Sequence, residues 1–318
     1  MESPTFIGAD ISKATVDAAT GEQGEVLKID NTAPALRRWM RTLPSHCVIG
    51  VESTGNFHLT LVKVALACGH RVYVLNPRDL AHYARALGRR AKTDRLDARL
   101  IARYLAHEHE HLHPYTLPTE LQTQLQELIG RRHKLVVARE ALRASFNSAS
   151  RKLRTRPRVL RAFQAMIEEI DTLTQKLIQQ DPALKDAAER LRTVKGFGPL
   201  VSASFAHLIL RHPYRNADAF VASTGLDPKA RDSGQLRGRR YLSKRGPGEP
   251  RRLLFNAAMA AVKTKLWQPI YQYYRNRGFP STAALIIIAR KLARIAFSIV
   301  RYGTEFQPER LKIPCTQP

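Results

Sequence analysis

Thr5-Phe6-Ile7-Gly8-Ala9-Asp10-Ile11 is an apolar run that carries a single carboxylate near its end. Cys47-Val48-Ile49-Gly50-Val51-Glu52 has the same form, apolar until a closing acid. Short continuous apolar runs of this kind read as buried strands. A third acidic place follows in Lys92-Thr93-Asp94-Arg95-Leu96-Asp97-Ala98-Arg99, where Asp94 and Asp97 stand one helical turn apart and share a helix face. The chain has a formal charge of +25, so acids converging on one place call for a purpose. Holding Mg²⁺, with Mn²⁺ as an acceptable substitute, against a phosphodiester is such a purpose.

Working outward, residues 5–107 alternate between the two periods. Strands are expected at Thr5–Ile11, Thr15–Ala19, Glu25–Asp30, Cys47–Glu52 and Arg71–Leu75. Helices are expected at Ala35–Leu43, Phe57–Cys68, Arg78–Leu87 and Thr93–His107. The order β-β-β-α-β-α-β-α is that of an α/β RNase H-like (RuvC-like) domain, here residues 1–113. That fold places a carboxylate on its first strand, another at the end of its fourth and one or two on its last helix. Asp10, Glu52, Asp94 and Asp97 fit those places, whereas Asp17 and Asp79 do not and are set aside. The alternating His107, His109, His111 and His113 read as a polar helix end running into Pro114 rather than as a metal tract.

Residues 114–192 form a helical, charged middle region. Leu121, Leu125, Leu128, His133, Val136 and Leu142 keep roughly heptad spacing, and Leu160, Phe163, Ile167, Ile170, Leu173, Leu177 and Ile178 make a second stripe. An antiparallel pair, a dimerising coiled coil and a plain helical bundle all suit this pattern. From Thr193 to the end there are 22 Lys and Arg against 6 Asp and Glu, a net of +16. An excess of that size favours a polyanionic partner, because each neutralised phosphate releases counterions. Residues 193–318 read as a mostly α-helical C-terminal domain with Ala283–Val300 as its core helix. No segment reaches about 18 consecutive apolar residues, and Met1-Glu2-Ser3-Pro4 has no signal-peptide character. The cysteines Cys47, Cys68 and Cys315 lack metal-ligand spacing and suit a reducing cytosol.

Within the basic part, Leu191–Ala203 resembles a helix-hairpin-helix. Gly196 and Gly198 would let the backbone near Lys195 approach a phosphate. Further on, Lys229–Arg252 holds nine Lys or Arg and two acids, interleaved with glycine and small residues. Arg231, Arg237, Arg239, Arg240, Ser243, Lys244 and Arg245 are candidate nucleic-acid contacts in a loop able to fold onto a backbone. Ser233 lies among these arginines. A serine hydroxyl becomes a nucleophile only with help from a base, a metal or a positive field, and a serine in a loop is ordinarily only that.

These residues carry a resemblance. Ile7-Gly8-Ala9-Asp10-Ile11-Ser12-Lys13, Glu52-Ser53-Thr54-Gly55 and Lys92–Ala98 resemble the N-terminal motifs of the IS110-family transposases, the Piv/DEDD-type recombinases. Gly196-Phe197-Gly198-Pro199, Thr224-Gly225-Leu226-Asp227-Pro228, Ser233-Gly234 and Leu242-Ser243-Lys244-Arg245-Gly246 resemble the C-terminal ones, in the same order. The resemblance implies a RuvC-like domain, a coiled-coil middle and a C-terminal transposase domain. It implies Mg²⁺ held by the four acids and a serine that attacks DNA to form a 5′-phosphoserine link. Ser233 is preferred to Ser243 for that role. It further implies donor and target DNA paired by a structured non-coding guide RNA, homodimers assembling into tetramers, and work at the nucleoid in a bacterial cytoplasm. One departure is visible, since Gly246 is followed by Pro247-Gly248-Glu249-Pro250 where the family has Gly-Asn and then Leu-Arg. A RuvC-like nuclease hydrolysing DNA with water, and a binding scaffold without catalysis, are the rival readings.

Overall fold

In this computed structural model, residues 4–53, 55–88, 94–146, 153–230 and 240–311 are described. The chain falls into two compact units, residues 1–117 and 118–318.

The first unit is built on a five-stranded sheet ordered β3-β2-β1-β4-β5. Its strands are β1 (Phe6–Ile11), β2 (Thr15–Thr20), β3 (Val26–Asp30), β4 (Val48–Glu52) and β5 (Arg71–Leu75). β1 pairs antiparallel with β2 and parallel with β4, so the sheet is mixed. Strand alternation sorts β1 between two layers. Ile7, Ala9 and Ile11 join Ile49, Val51 and Val72 in a core shared with α1 (Ala33–Met40) and α2 (Leu59–Ala67), through Leu36, Trp39, Leu61 and Val62. The opposite face carries Phe6, Val48, Tyr73 and Leu75. It is covered by Leu80 of α3 (Pro77–Ala86) and by Ile101 and Leu105 of α4 (Asp94–Glu108). Asn76 caps α3 by accepting from the Arg78 amide, which explains the break after β5. α4 is further pinned to the turn after β2, where Arg99 Nε donates to the Gly24 carbonyl at 3.0 Å and Arg103 pairs with Glu22.

The second unit is helical apart from a two-stranded ribbon, its helices including the short α9 (Ala217–Ser223) and α11 (Gln268–Asn276). α5 (Glu120–Ser145) opens on a capping box between Thr119 and Gln122. It runs antiparallel to α6 (Arg156–Gln179), because Arg132, Arg139 and Arg143 meet Asp171, Gln164 and Arg156 in reversed order. The stripe expected on α6 needs one correction. Leu173 is 41% exposed, on the outer face with Val159 and Met166, and Thr174 points inward instead. α5 and α6 share their core with later helices, since Leu125, Ile129 and Ile178 pack in one cluster with Trp267, Phe205 and Phe220. At the centre of that cluster lies α12 (Ser281–Tyr302), which buries Leu285, Ile288, Leu292, Phe297 and Ile299. Each such side chain contributes roughly 1.5–3 kcal/mol on burial. Gly303 ends the helix in the left-handed conformation at φ 61°. Among the described residues, no helix is long and apolar enough to cross a membrane.

Candidate active site and nucleic-acid surface

Phe6, Gly8 and Asp10 stand on one face of β1, and Val48, Gly50 and Glu52 on the same face of β4, in parallel register through Gly8↔Gly50 and Ala9↔Val51. Asp10 and Glu52 are one step beyond that last pair. They are therefore neighbours at the C-terminal ends of adjacent strands, about 4.8 Å apart in backbone, and both are half-buried.

The helix that crosses this face is held close by glycine. A Cβ on Gly8 would lie 2.0 Å from the Ala98 carbonyl oxygen and 2.4 Å from the Ala102 amide nitrogen. α4 thus rests on bare backbone at Gly8. Just past its C-terminal end, in the short turn His109–His111, the His109 ring centroid lies 4.8 Å from that of Phe6. From Phe6 through Gly8 to Asp10 the strand therefore runs towards the start of α4, where Asp94 is the first residue and Asp97 sits one turn in. Asp97 is half-buried; the side chain of Asp94 lies outside the described part. The structure thus brings the ends of β1 and β4 and the first turn of α4 to one edge of the sheet. Among the described residues no three His, Cys, Asp or Glu side chains form a closed metal-binding group. In kind the donors fit a hard cation, since all are carboxylates, which suit Mg²⁺.

Asp17, which the expected acid positions leave out, lies on the same sheet face as Asp10. It is registered directly opposite Asp10 across the β1–β2 pair, so the two carboxylates share a face. Like charges facing each other across strands are unfavourable. Lys28, registered opposite Asp17 on β3, supplies a cation on the other side. Two-residue alternation along β2 and the tight turn after β1 held this signal, but only once the register was known. Asp79 lies in the first turn of α3, where the helix dipole favours an acid.

In the second unit, β6 (Pro228–Ala230) and β7 (Arg240–Leu242) form an antiparallel ribbon. Ser233, Arg231, Arg237 and Arg239 belong to the segment between these strands and lie outside the described residues. Ser243 follows β7. Its hydroxyl donates to the Asp227 carboxylate and accepts from the Arg245 amide at 3.2 Å, and its own amide donates to the Asp227 carbonyl at 2.9 Å. Ser243 thereby fastens the base of the ribbon. Lys244 takes the left-handed conformation at φ 51°, and Arg240, Lys244 and Arg245 are all exposed. Arg251 is turned inward, donating to the Thr224 carbonyl at 3.1 Å.

α7 (Pro182–Arg192) and α8 (Pro199–Arg211) are joined by the short turn that holds Lys195, Gly196 and Gly198. Lys195 is exposed. Gly196 takes a left-handed conformation at φ 105°, and its bare Cα also admits a neighbouring helix. A Cβ there would lie 2.6 Å from the Ala257 carbonyl oxygen of α10 (Gly248–Ala261). Gly198 has nothing within 4 Å of that position and caps α8.

Two family profiles match this architecture. One, described as a transposase of the DEDD IS110 type, covers residues 7–155. The other, described as the transposase IS116/IS110/IS902 family, covers residues 188–275. A pilin gene-inverting protein of Moraxella bovis is 27% identical over 96% of this chain and 98% of its own length. Its counterpart in Moraxella lacunata is 28% identical with the same coverage. The transposase of insertion sequence IS1328 from Yersinia enterocolitica is 24% identical over 96% of this chain and 99% of that protein.

Proposed function

The chain belongs to the IS110 transposase family, whose members cut and rejoin DNA, and on that premise we propose that it is a divalent-metal-dependent recombinase that acts through a serine. The observation that carries the reading is the meeting of Asp10, Glu52 and the first turn of α4 at one sheet edge. The strand order and the helices on both faces support an RNase H-like domain. Asp10, Glu52, Asp94 and Asp97 would hold Mg²⁺. An ion held by them would supply positive charge to offset that of a phosphodiester. Ser233 Oγ gives up its proton and bonds to phosphorus as the bond from phosphorus to the 3′ oxygen breaks, and that oxygen takes up a proton, so none is gained or lost overall. The product is a 5′-phosphoserine and a free 3′ hydroxyl, the state from which strands can be exchanged. Ser243 donates to Asp227 at the base of the ribbon, and it is the family resemblance that gives the nucleophile's role to Ser233.

The net +16 beyond Thr193 supports DNA contact through the C-terminal unit. Donor and target DNA are the substrates, selected by a structured guide RNA. A homodimer that pairs into a tetramer at the nucleoid is the working assembly. These last features rest on the family resemblance. Incubation of Ser233→Ala and Asp97→Asn with DNA and co-purified RNA tests the reading. Both variants should bind DNA as the wild type does, and neither should form a covalent protein–DNA adduct. An adduct that survives in Ser233→Ala removes the serine assignment. Cleavage by the wild type without any adduct supports hydrolysis by water instead.

A further inference from the structure

A cavity of about 250 Å³ lies in the second unit between α5, α8 and the start of α10. Ile129, Phe205 and Leu208 give it apolar walls. Gln126, Ser204, His207 and Glu249 reach it from three different helices. Ser204 is 9% exposed and its Oγ has no hydrogen-bond partner; Glu249 Oε1 is likewise buried and unpartnered. Each such atom costs about 1–3 kcal/mol, so buried polar atoms are ordinarily paired. Two of them around one cavity mark a place where the polar edge of a ligand belongs.

Gly130 points the same way. It sits in the middle of α5, where glycine costs about 1 kcal/mol relative to alanine. Nothing stands within 4 Å of the place its Cβ would occupy, so no close contact requires a glycine. It lines the cavity, and a side chain there would fill the space. Pro247, on the rim, is separated from the exposed Lys244 and Arg245 by Gly246 alone, so cationic residues lead to the mouth. The volume falls below the roughly 300–1,000 Å³ of pockets for drug-sized ligands, which suits a single flat ring system.

We propose that this cavity receives one unstacked nucleobase of a bound DNA strand, with Lys244 and Arg245 holding the flanking phosphates. The inference rests on the reading of the chain as a DNA recombinase. The faces of the base lie against Ile129, Phe205 and Leu208. Its edge meets the Ser204 hydroxyl, the Gln126 amide, the His207 imidazole and the Glu249 carboxyl. Burial takes His207 down to about 4, so its ring is neutral and offers one donor and one acceptor. Burial lifts Glu249 to about 7, opposed by Arg252 and Arg132, so its carboxyl can donate as well as accept. Pulling a base from the stack costs a few kcal/mol; pairing the two orphan atoms and burying the ring offset it.

The test uses the full-length protein and a single-stranded oligonucleotide in which 2-aminopurine replaces each base in turn. Emission of this base rises when it leaves the stack. Wild type at saturation should raise emission at least threefold at one or a few positions. Gly130→Leu should abolish the rise while weakening binding of the same oligonucleotide, read by anisotropy, by less than about fivefold. Ser204→Val removes the hydroxyl at nearly constant volume and gives the same readout if Gly130→Leu does not fold. Free 2-aminopurine riboside forms the second arm, and saturation by it at the affinity of the strand would make this a nucleoside site and overturn the proposal. DNA binding without a rise at any position, or a rise that persists in folded Gly130→Leu, identifies a cavity that holds only water. Absence of DNA binding by the wild type would instead remove the recombinase reading itself.

Discussion

Gly8→Ala is the perturbation that most directly probes the proposed site. The added methyl carbon falls 2.0 Å from the Ala98 carbonyl oxygen and 2.4 Å from the Ala102 nitrogen. Both are backbone atoms of α4, so neither can rotate away. To reach the 3.4 Å at which ordinary contact begins, α4 must lift from β1 by more than an ångström. Overpacking of this kind costs about 1–3 kcal/mol, which the first unit should survive, at a lower Tm. The catalytic cost is larger, because Asp97 rides on α4 and Asp10 on β1. A displacement of about 1 Å between reacting groups costs on the order of 100-fold in rate. Gly50→Ala is the internal control, since its Cβ meets only side-chain ends, Ile101 Cγ2 at 3.0 Å and Leu105 Cδ2 at 3.1 Å. We expect initial rates of covalent adduct formation to fall about 100-fold for Gly8→Ala and only severalfold for Gly50→Ala. DNA affinity should change little in either. A folded Gly8→Ala enzyme that forms adduct at nearly the wild-type rate would refute the claim that the approach of α4 to β1 sets the site.

Ser243→Ala breaks the link to Asp227 and loosens the ribbon base, so adduct formation should slow by about tenfold, in line with loss of a hydrogen bond to a charged group worth about 1.5–3 kcal/mol. Its adduct should still form through Ser233, as peptide mapping of the modified residue would show. Chelation with EDTA should stop cleavage while DNA binding in a gel-shift assay persists, and Mg²⁺ or Mn²⁺ should restore it. Glu249→Gln should raise Tm at pH 8 and leave it unchanged at pH 5. Burial holds the folded carboxyl near 7 against its ordinary 4.5, so ionisation destabilises the fold as pH rises through that window, by roughly 1–3 kcal/mol after solvent screening. His207 works in the opposite sense, its ring held neutral in the fold down to about 4. The variant, having lost the offsetting carboxyl, should therefore lose Tm between pH 6.5 and 4.5 more steeply than the wild type, which a melting series in matched buffers would read.

What was legible in the sequence follows burial. β1, β4 and β5 are covered by helices on both faces, so they read as continuous apolar runs with ends displaced by no more than a residue. Contacts that depend on register or on a distant partner were not legible. Asp17 faces Asp10 only because the β1–β2 pairing puts them in one rung, and a list of acids does not contain that rung. On α6 the inward ladder of Ile167, Thr174 and Ile178 follows helical geometry, whereas hydrophobicity alone selected Leu173, which points outward. Glycine shows the division most sharply. Gly8, Gly130 and Gly196 are alike as letters, though one stands in a strand, one in a helix and one in a turn. One lets a helix rest on a strand, one opens a cavity, and one lets a turn press against α10. At Gly196 the atom that stands where a side chain would begin is the Ala257 carbonyl oxygen of α10. A glycine reports that something comes close or that space is kept; tertiary structure alone decides which. The proposed catalytic geometry hangs on one such contact, at Gly8, which no periodicity in the chain encodes.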